Sequence, residues 1–273
     1  MSKRRTIARL GEYLHAGYAW LVLAMLLLPL VALIPISLGD SATMSAFPDR
    51  ISLRWYREVL GGSDWQSAFS WSLLTASVAT VISTTIGYLA AYAIVHSETR
   101  LKSMLEILML MPMMVPTVIV AFSTYMLATW IPLDGRWLVI SIGQGLLGLP
   151  IATLIIAASL RGIDPTLISA AVSLGGDRRQ VFRMVTLPMA MHGILSAAAL
   201  SFLIAFDELL IALFLTRPGL ETLPVRIFDS VTYELTPAIA VVSVFLMALI
   251  CLALLAGAVV RKVAAISEAR VVR

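Results

Sequence analysis

Residues 137–160 read WLVISIGQGLLGLPIATLIIAASL, 24 positions without one Asp, Glu, Lys or Arg. A helix crossing the hydrocarbon core of a bilayer needs about 20 mostly apolar residues, so this stretch is long enough to span. The same test, worked outward, finds charge-free runs at 16–39, 65–97 and 107–133 on one side, and at 184–206 and 235–260 on the other. The run at 184–206 meets Asp207-Glu208 but resumes at 209–216, which reads as one span. Six spans result, at about 17–38, 69–96, 105–130, 137–160, 188–216 and 237–260. The class is an all-α, polytopic membrane protein.

Composition agrees. Of 273 residues, 60% are hydrophobic and 13% charged, with a mean hydropathy of +0.94. Soluble domains carry about 25% charged residues and about 45–50% apolar ones. A soluble enzyme, a disordered chain and a free nucleic-acid-binding module are thereby excluded. The net charge of +4 does not point to nucleic acid, because the basic residues gather at span ends. Cys251 is the single cysteine, so no intrachain disulfide forms. His15, His96 and His192 are too far apart for a local metal-ligand motif. No metal, haem, flavin or nucleotide site is readable, and no periodic repeat or flexible linker divides the chain, which reads as one membrane domain over 1–273.

Orientation follows from Lys and Arg. With the N-terminus inside, fourteen of them lie on inside segments and six (Arg50, Arg54, Arg57, Arg136, Arg217 and Arg226) outside. Both termini are expected in the cytoplasm. The first apolar run exceeds a signal-peptide core of about 7–15 residues and ends in no small-x-small site, so it reads as an uncleaved span. In the first outside loop, Trp55 and Tyr56 between Arg54 and Arg57 fit either a short interfacial helix or a solvated loop. Trp20, Trp71, Trp130 and Trp137, near span ends, read as interface anchors.

The inside segment 161–187 is the most informative. Asp164-Pro165 is a cap followed by Pro at the first helical position. Leu167, Ile168, Ala171 and Val172 then share one helical face. Gly175-Gly176 stops that helix, and Asp177 with Gln180 has capping-box spacing for a second one. The second carries Arg178, Arg179 and Arg183 beside Val181, Phe182 and Val185, and Pro188 opens the next span. Such a basic, amphipathic hairpin suits either lipid headgroups or a docking partner.

Ser169-Ala170-Ala171, three residues, Gly175, nine residues, then Val185-Thr186-Leu187-Pro188 resembles the EAA loop of permeases in ATP-binding-cassette importers. That pattern is Glu-Ala-Ala, three residues, Gly, nine residues, Ile-x-Leu-Pro. The chain departs from it at Ser169, where Glu is usual, and at Val185. Residues 52–60, 70–74 and 87–92 resemble the early part of these permeases. Met111-Pro112 with Pro116, and Phe206-Asp207-Glu208, resemble the subgroup importing spermidine and putrescine. Permeases for aminophosphonates and opine-type compounds are similar too. The resemblance implies a type I importer of the bacterial inner membrane. Two permeases pair, here as a hetero-pair, around one pathway. Two cytoplasmic ATPase subunits dock on Ser169, Ala170, Ala171, Gly175, Asp177, Leu187 and Pro188, and an external solute-binding protein delivers cargo. The chain carries no Gly-x-x-x-x-Gly-Lys-Ser/Thr phosphate loop. ATP and Mg are therefore expected on the partner subunits, with this chain a transport subunit rather than an enzyme.

Asp207 and Glu208 stand inside a span. Two mid-helix carboxylates cost about 5–7 kcal/mol on insertion scales. The eleven Leu, Ile and Phe residues between 200 and 215 return about 3–7 kcal/mol. The stretch is marginal facing lipid and is expected to face a cavity, a partner or neutralising groups. The carboxylates suit a cationic cargo such as a polyamine; the bland alternative is a polar knot to another helix. Ser201, seven residues before Glu208, shares its helical face, and Gln144 in the fourth span can hydrogen-bond cargo. Pro112 and Pro116 release backbone carbonyls and kink the third span, which reads either as a broken helix lining the pathway or as an ordinary packed kink. Glu106, at its edge, is expected to be solvated. A proton-coupled secondary transporter and a membrane scaffold are the rival classes. The first usually shows internal repeats, and the second leaves the two acids unexplained.

Overall fold

The computed structural model describes residues 2–41, 48, 50–97, 101–132, 135–234 and 236–271. Arg100 and Arg273, counted above among inside charges, lie outside the described residues, as do Leu133 and Leu235 at the ends of apolar runs. Among the described residues regular structure is helical, and β pairing is limited to the isolated bridges Gly39–Ile51 and Arg217–Leu220. Among the described residues five helices are long and apolar enough to cross a membrane, or six when one sharply bent pair counts as a single span. The chain divides into two compact units, residues 1–63 with 229–273, and residues 64–228.

In the first unit α1 (Ser2–Ser37) packs along α12 (Ala238–Val271), which also touches α2 (Arg54–Gly61). The Arg-Trp-Tyr-Arg stretch is thus helical, with Trp55 and Val59 buried. Trp55 Nε1 donates to the Ser41 carbonyl at 3.3 Å, and the Ser37 and Tyr56 hydroxyls meet at 2.9 Å.

The second unit is built on α3 (Ser63–His96), α6 (Arg136–Arg161) and α9 (Leu187–Phe206). Small residues let these helices approach closely, the usual means of helix association where lipid removes any hydrophobic drive. A Cβ on Gly87 of α3 would stand 2.9 Å from Ala152 Cβ of α6. A Cβ on Gly148 of α6 would stand 3.3 Å from both Ser83 Cβ of α3 and Ser201 Cβ of α9. Helix α3 begins several residues before the expected start at 69. Its 34 residues extend about 51 Å, well beyond a hydrocarbon core of about 30 Å.

The third span is broken rather than kinked. Helix α4 (Leu101–Leu110) passes into a 3₁₀ turn (Met111–Met114), and α5 (Thr117–Ala128) leaves at 97° to it. Steric clash with a following proline ring drives a residue out of the helical region. Val115, before Pro116, accordingly sits at φ −88°, ψ 127°. Glu106 of α4 is not merely solvated: Oε1 accepts from Arg161 Nη2 of α6 at 3.2 Å.

The fifth span also departs from its expected continuity. Helix α9 stops at Phe206, and α10 (Leu210–Leu215) starts after a gap at Asp207–Leu209. At its other end α9 is continuous with what precedes it. Helix α8 (Arg178–Val181) runs through a π turn (Phe182–Thr186) directly into α9, so Pro188 does not open a separate helix. A proline inside a helix lacks an N–H and its ring presses on the carbonyl four residues back. The widened turn just before Pro188 relieves both, with the Leu187 N–H reaching back to the Phe182 carbonyl.

Candidate pathway acids and docking hairpin

The 161–187 segment folds as the cap signals require. The Thr166 N–H donates to Asp164 Oδ1 at 2.8 Å, opening α7 (Pro165–Ser173). That bond holds the exposed Asp164 carboxyl below the usual carboxylate range. Gly175 ends the turn at φ +88°, a conformation glycine adopts without steric cost. A Cβ on Gly176 would lie 2.8 Å from the Ala171 carbonyl oxygen, so the second glycine is needed for space. Asp177 Oδ1 accepts from the Gln180 N–H at 2.7 Å, and Gln180 Oε1 accepts from the Asp177 N–H at 3.0 Å. Ser169 turns its hydroxyl onto the Pro165 carbonyl at 3.0 Å, within its own helix. The outer surface carries Leu174, 90% exposed, and Met184, 77% exposed, among exposed Arg178, Arg179 and Arg183. Ala170 is exposed and Ala171 half-buried, while Leu187 packs inward and Pro188 is exposed.

At the break in the fifth span the two acids part. Asp207 is exposed, whereas Glu208 is 8% exposed. Glu208 Oε1 accepts from the backbone N–H of Leu210 at 2.8 Å and of Ile211 at 3.1 Å, and Oε2 from Ile211 at 3.0 Å. A helix start leaves its first amides without intrahelical partners; Glu208 takes up those of Leu210 and Ile211 at the opening of α10. An intramolecular hydrogen bond of this kind contributes about 0.5–1.5 kcal/mol net. Beyond α10, Trp71 Nε1 donates to the Gly219 carbonyl at 2.8 Å, and the Leu223 N–H to Ser72 Oγ at 2.7 Å. These two bonds pin residues 219–223 to α3.

Ser201 does not share a helical face with Glu208, because the helix that would align them ends at Phe206; Gln144 stands on a separate helix, α6. Each is 1% exposed, and neither Ser201 Oγ nor Gln144 Oε1 has a hydrogen-bond partner. Ser201 belongs instead to the close crossing at Gly148 and Ser83.

A cavity of about 600 Å³ lies between α3, the bent α4–α5 pair and α6. Ile86, Met111, Pro112, Ile119, Gly143 and Leu146 are among its walls, and none of Asp207, Glu208, Ser201 or Gln144 reaches it. Its hydroxyls donate within their own helix, Ser123 Oγ to the Ile119 carbonyl at 2.8 Å and Thr124 Oγ1 to that of Ala121 at 3.0 Å. No acidic side chain lines it.

Sequence reading singles out neither this cavity nor the aromatic group formed by Tyr88, Tyr92, His96 and Phe182. The latter left a signal, since Tyr88, Tyr92 and His96 recur every four residues and so share one helical face. For the cavity the signal is partial: Pro112 is among its walls, but the rest come from three separate spans.

Residues 83–265 match the family described as "Binding-protein-dependent transport system inner membrane component". The chain is 30% identical over 218 residues to the putrescine transport system permease protein PotI of Escherichia coli (strain K12), with 77% of each chain covered. It is 25% identical over 241 residues to the spermidine/putrescine transport system permease protein PotC of the same strain, covering 88% of this chain and 90% of that one. In fold it is similar to a chain in the crystal structure of a bacterial ABC transporter involved in the import of the acidic polysaccharide alginate. There the TM-score is 0.67 at 15% identity, over 92% of this chain and 98% of that one.

Proposed function

The chain belongs to the family of binding-protein-dependent transport system inner membrane components, and from that premise we propose that it is the permease of an ATP-driven importer whose cargo is a polyamine. The reading rests on one observation above all: a membrane span interrupted at Asp207, whose carboxylate is exposed while its neighbour is held by the chain's own amides. A fixed negative charge at membrane depth complements the amines of putrescine or spermidine, and intramembrane carboxylates commonly mark such pathways. Similarity to PotI and PotC supports the same cargo. The transporter of similar fold is involved in the import of an acidic polysaccharide, so the shared fold by itself carries no preference.

The remaining parts follow. The hairpin faces the cytoplasm, in keeping with the excess of Lys and Arg on its side of the chain. A partner ATPase seats on Leu174 and the arginine rim, with Gly175 letting the hairpin fold back at that point. A second, non-identical permease completes the pathway, and an external solute-binding protein delivers cargo. ATP and Mg belong to the ATPase subunits. ATPase closure pushes the hairpin and, through the continuous helix Arg178–Phe206, reaches the break that carries Asp207.

The test is affinity purification of the tagged chain in mild detergent beside Gly175→Trp, followed by uptake in reconstituted vesicles. An ATPase and a second permease are expected with the natural chain, with the ATPase lost from the variant. ATP-driven putrescine uptake is then expected and is reduced by Asp207→Asn. A well-folded chain that comes out alone, and moves putrescine without ATP, would overturn the reading in favour of a secondary transporter. ATP-driven uptake of an aminophosphonate but not of putrescine would overturn the cargo alone.

A further inference from the structure

The hairpin is joined through the backbone to α6 on one side and α9 on the other, but not to α3. What reaches α3 is a side chain. Phe182, the first residue of the π turn, sets its ring edge-on against Tyr88, with centroids 6.0 Å apart and planes at 73°. It does the same against Tyr92, at 5.6 Å and 84°. Tyr88 and Tyr92 stack on each other at 6.3 Å, and Tyr92 stacks on His96 at 4.2 Å. Edge-to-face contact is the preferred geometry of aromatic pairs, and here one ring makes it with two partners on successive turns of α3. Ile168 of α7 and Leu187 of α9 pack against the same cluster, which includes Ala152 and Ile156 of α6.

Two further features bear on what this contact does. The Tyr88 hydroxyl is buried without a hydrogen-bond partner, so what Tyr88 contributes here is its ring. The π turn lies between the Asp177 cap and α9. Single π turns inside α-helices often occur at functional sites. This one gives the hairpin a joint at the residue that touches α3.

We propose that Phe182 is a transmission residue, seated against both Tyr88 and Tyr92 so that displacement of the hairpin moves α3 together with α6 and α9. The proposal rests on the hairpin being the ATPase-docking element. Without the ring, α9 would still follow the hairpin through its backbone while α3 lagged, and the helices that close around the cargo would not move as one. Hydrolysis would then proceed without import.

The experiment uses the full chain in its assembled complex, reconstituted in vesicles, with putrescine as probe and ATP hydrolysed per putrescine imported as readout. Phe182→Ala is expected to retain the ATPase on purification and to keep hydrolysis, while the ratio rises by roughly tenfold, within the ordinary range of couplings between sites. Phe182→Trp keeps an aromatic edge and is expected to stay near the natural ratio. Phe182→Leu keeps apolar volume and decides the matter should the alanine variant fail to accumulate: its ratio also rises. An unchanged ratio in the leucine variant overturns the proposal. So does loss of the ATPase from Phe182→Ala, which would make the ring part of the docking surface. If the natural chain itself retains no ATPase, the docking reading fails first, and that outcome is distinct from both.

Discussion

Two spans of this chain are interrupted, and they are interrupted by different physics. The third span breaks at Met111–Pro116 because proline rings deny the backbone a helix, and Val115 is extended for that reason alone. No side chain caps the start of α5. The fifth span breaks at Asp207–Leu209, where no proline or glycine stands. There a carboxylate replaces the missing carbonyls, Glu208 accepting from the first amides of α10. The first break is a steric exclusion that persists whatever surrounds it. The second is held by a few hydrogen bonds that a membrane interior cannot replace with water. A break of the second kind depends on one residue, whose carboxyl oxygens are engaged by its own backbone, whereas the neighbouring Asp207 is exposed.

The largest effect is therefore expected at Glu208. Glu208→Leu removes the acceptor and leaves the Leu210 and Ile211 amides to find new partners, at about 1–3 kcal/mol for each one stranded. The detergent-solubilised chain should melt at clearly lower temperature, and putrescine uptake should disappear with it. A leucine variant as stable as the natural chain would mean that the amides simply rejoin a continuous helix, and the contrast between the two breaks would collapse.

Asp207→Asn comes next and sharpens the division of labour between the neighbours. Its side chain is exposed and makes no bond that fixes the break, so stability should change by no more than about 0.5 kcal/mol. Uptake at low putrescine should nonetheless fall roughly tenfold, the worth of about 1.4 kcal/mol of lost attraction. Equal losses of stability in the asparagine and leucine variants would show that both acids are structural.

Pro116→Ala probes the other break and should matter less. Pro116 sits at φ −54°, which alanine adopts without strain. The variant loses chiefly the restriction that proline places on the unfolded chain, about 0.4–1 kcal/mol. Because the ring also forces Val115 out of the helical region, α4 and α5 gain freedom to straighten. A cysteine pair placed across the bend would report this as a changed cross-linking span. If the bend proves as rigid as before, packing rather than proline maintains it.

The same contrast explains what could be read beforehand. The spans, the helical hairpin at 161–187 and the third-span bend were legible, because hydropathy, caps and prolines each act through the residue that carries them. Asp164-Pro165 and Asp177 with Gln180 announce their hydrogen bonds by spacing alone. The fifth span was not, since summing insertion costs along 200–215 treats every side chain as pointing out of an unbroken helix. A Glu that turns back onto its own amides leaves that assumption, and nothing in Phe206-Asp207-Glu208 signals it. Ser201 was misaligned with Glu208 for the same reason: its helical register ends at Phe206. The π turn before Pro188 was hidden as well, because a proline near a helix start looks like an opening until the preceding turn is seen to be helical.

The smallest expected effect uses the same chemistry as Glu208 in the opposite solvent. Asp164 also places a carboxylate on a backbone amide, that of Thr166, but it is fully exposed. Water competes for every partner, so the bond should bias the start of α7 rather than hold the fold. Its pKa lies below the unfolded value, which means the folded hairpin binds fewer protons than the unfolded one. Its contribution is therefore fully present above the ordinary carboxylate pKa of about 3.9 and is lost as pH falls through the lowered folded value. Hydrogen–deuterium exchange of α7 should show slightly less protection in Asp164→Ala than in the natural chain at neutral pH. That difference should vanish at the acid end, and comparison at each pH cancels the intrinsic rate of exchange. A difference that persists below the carboxylate range would assign the cap to a hydrogen bond accepted by the neutral side chain rather than to its charge.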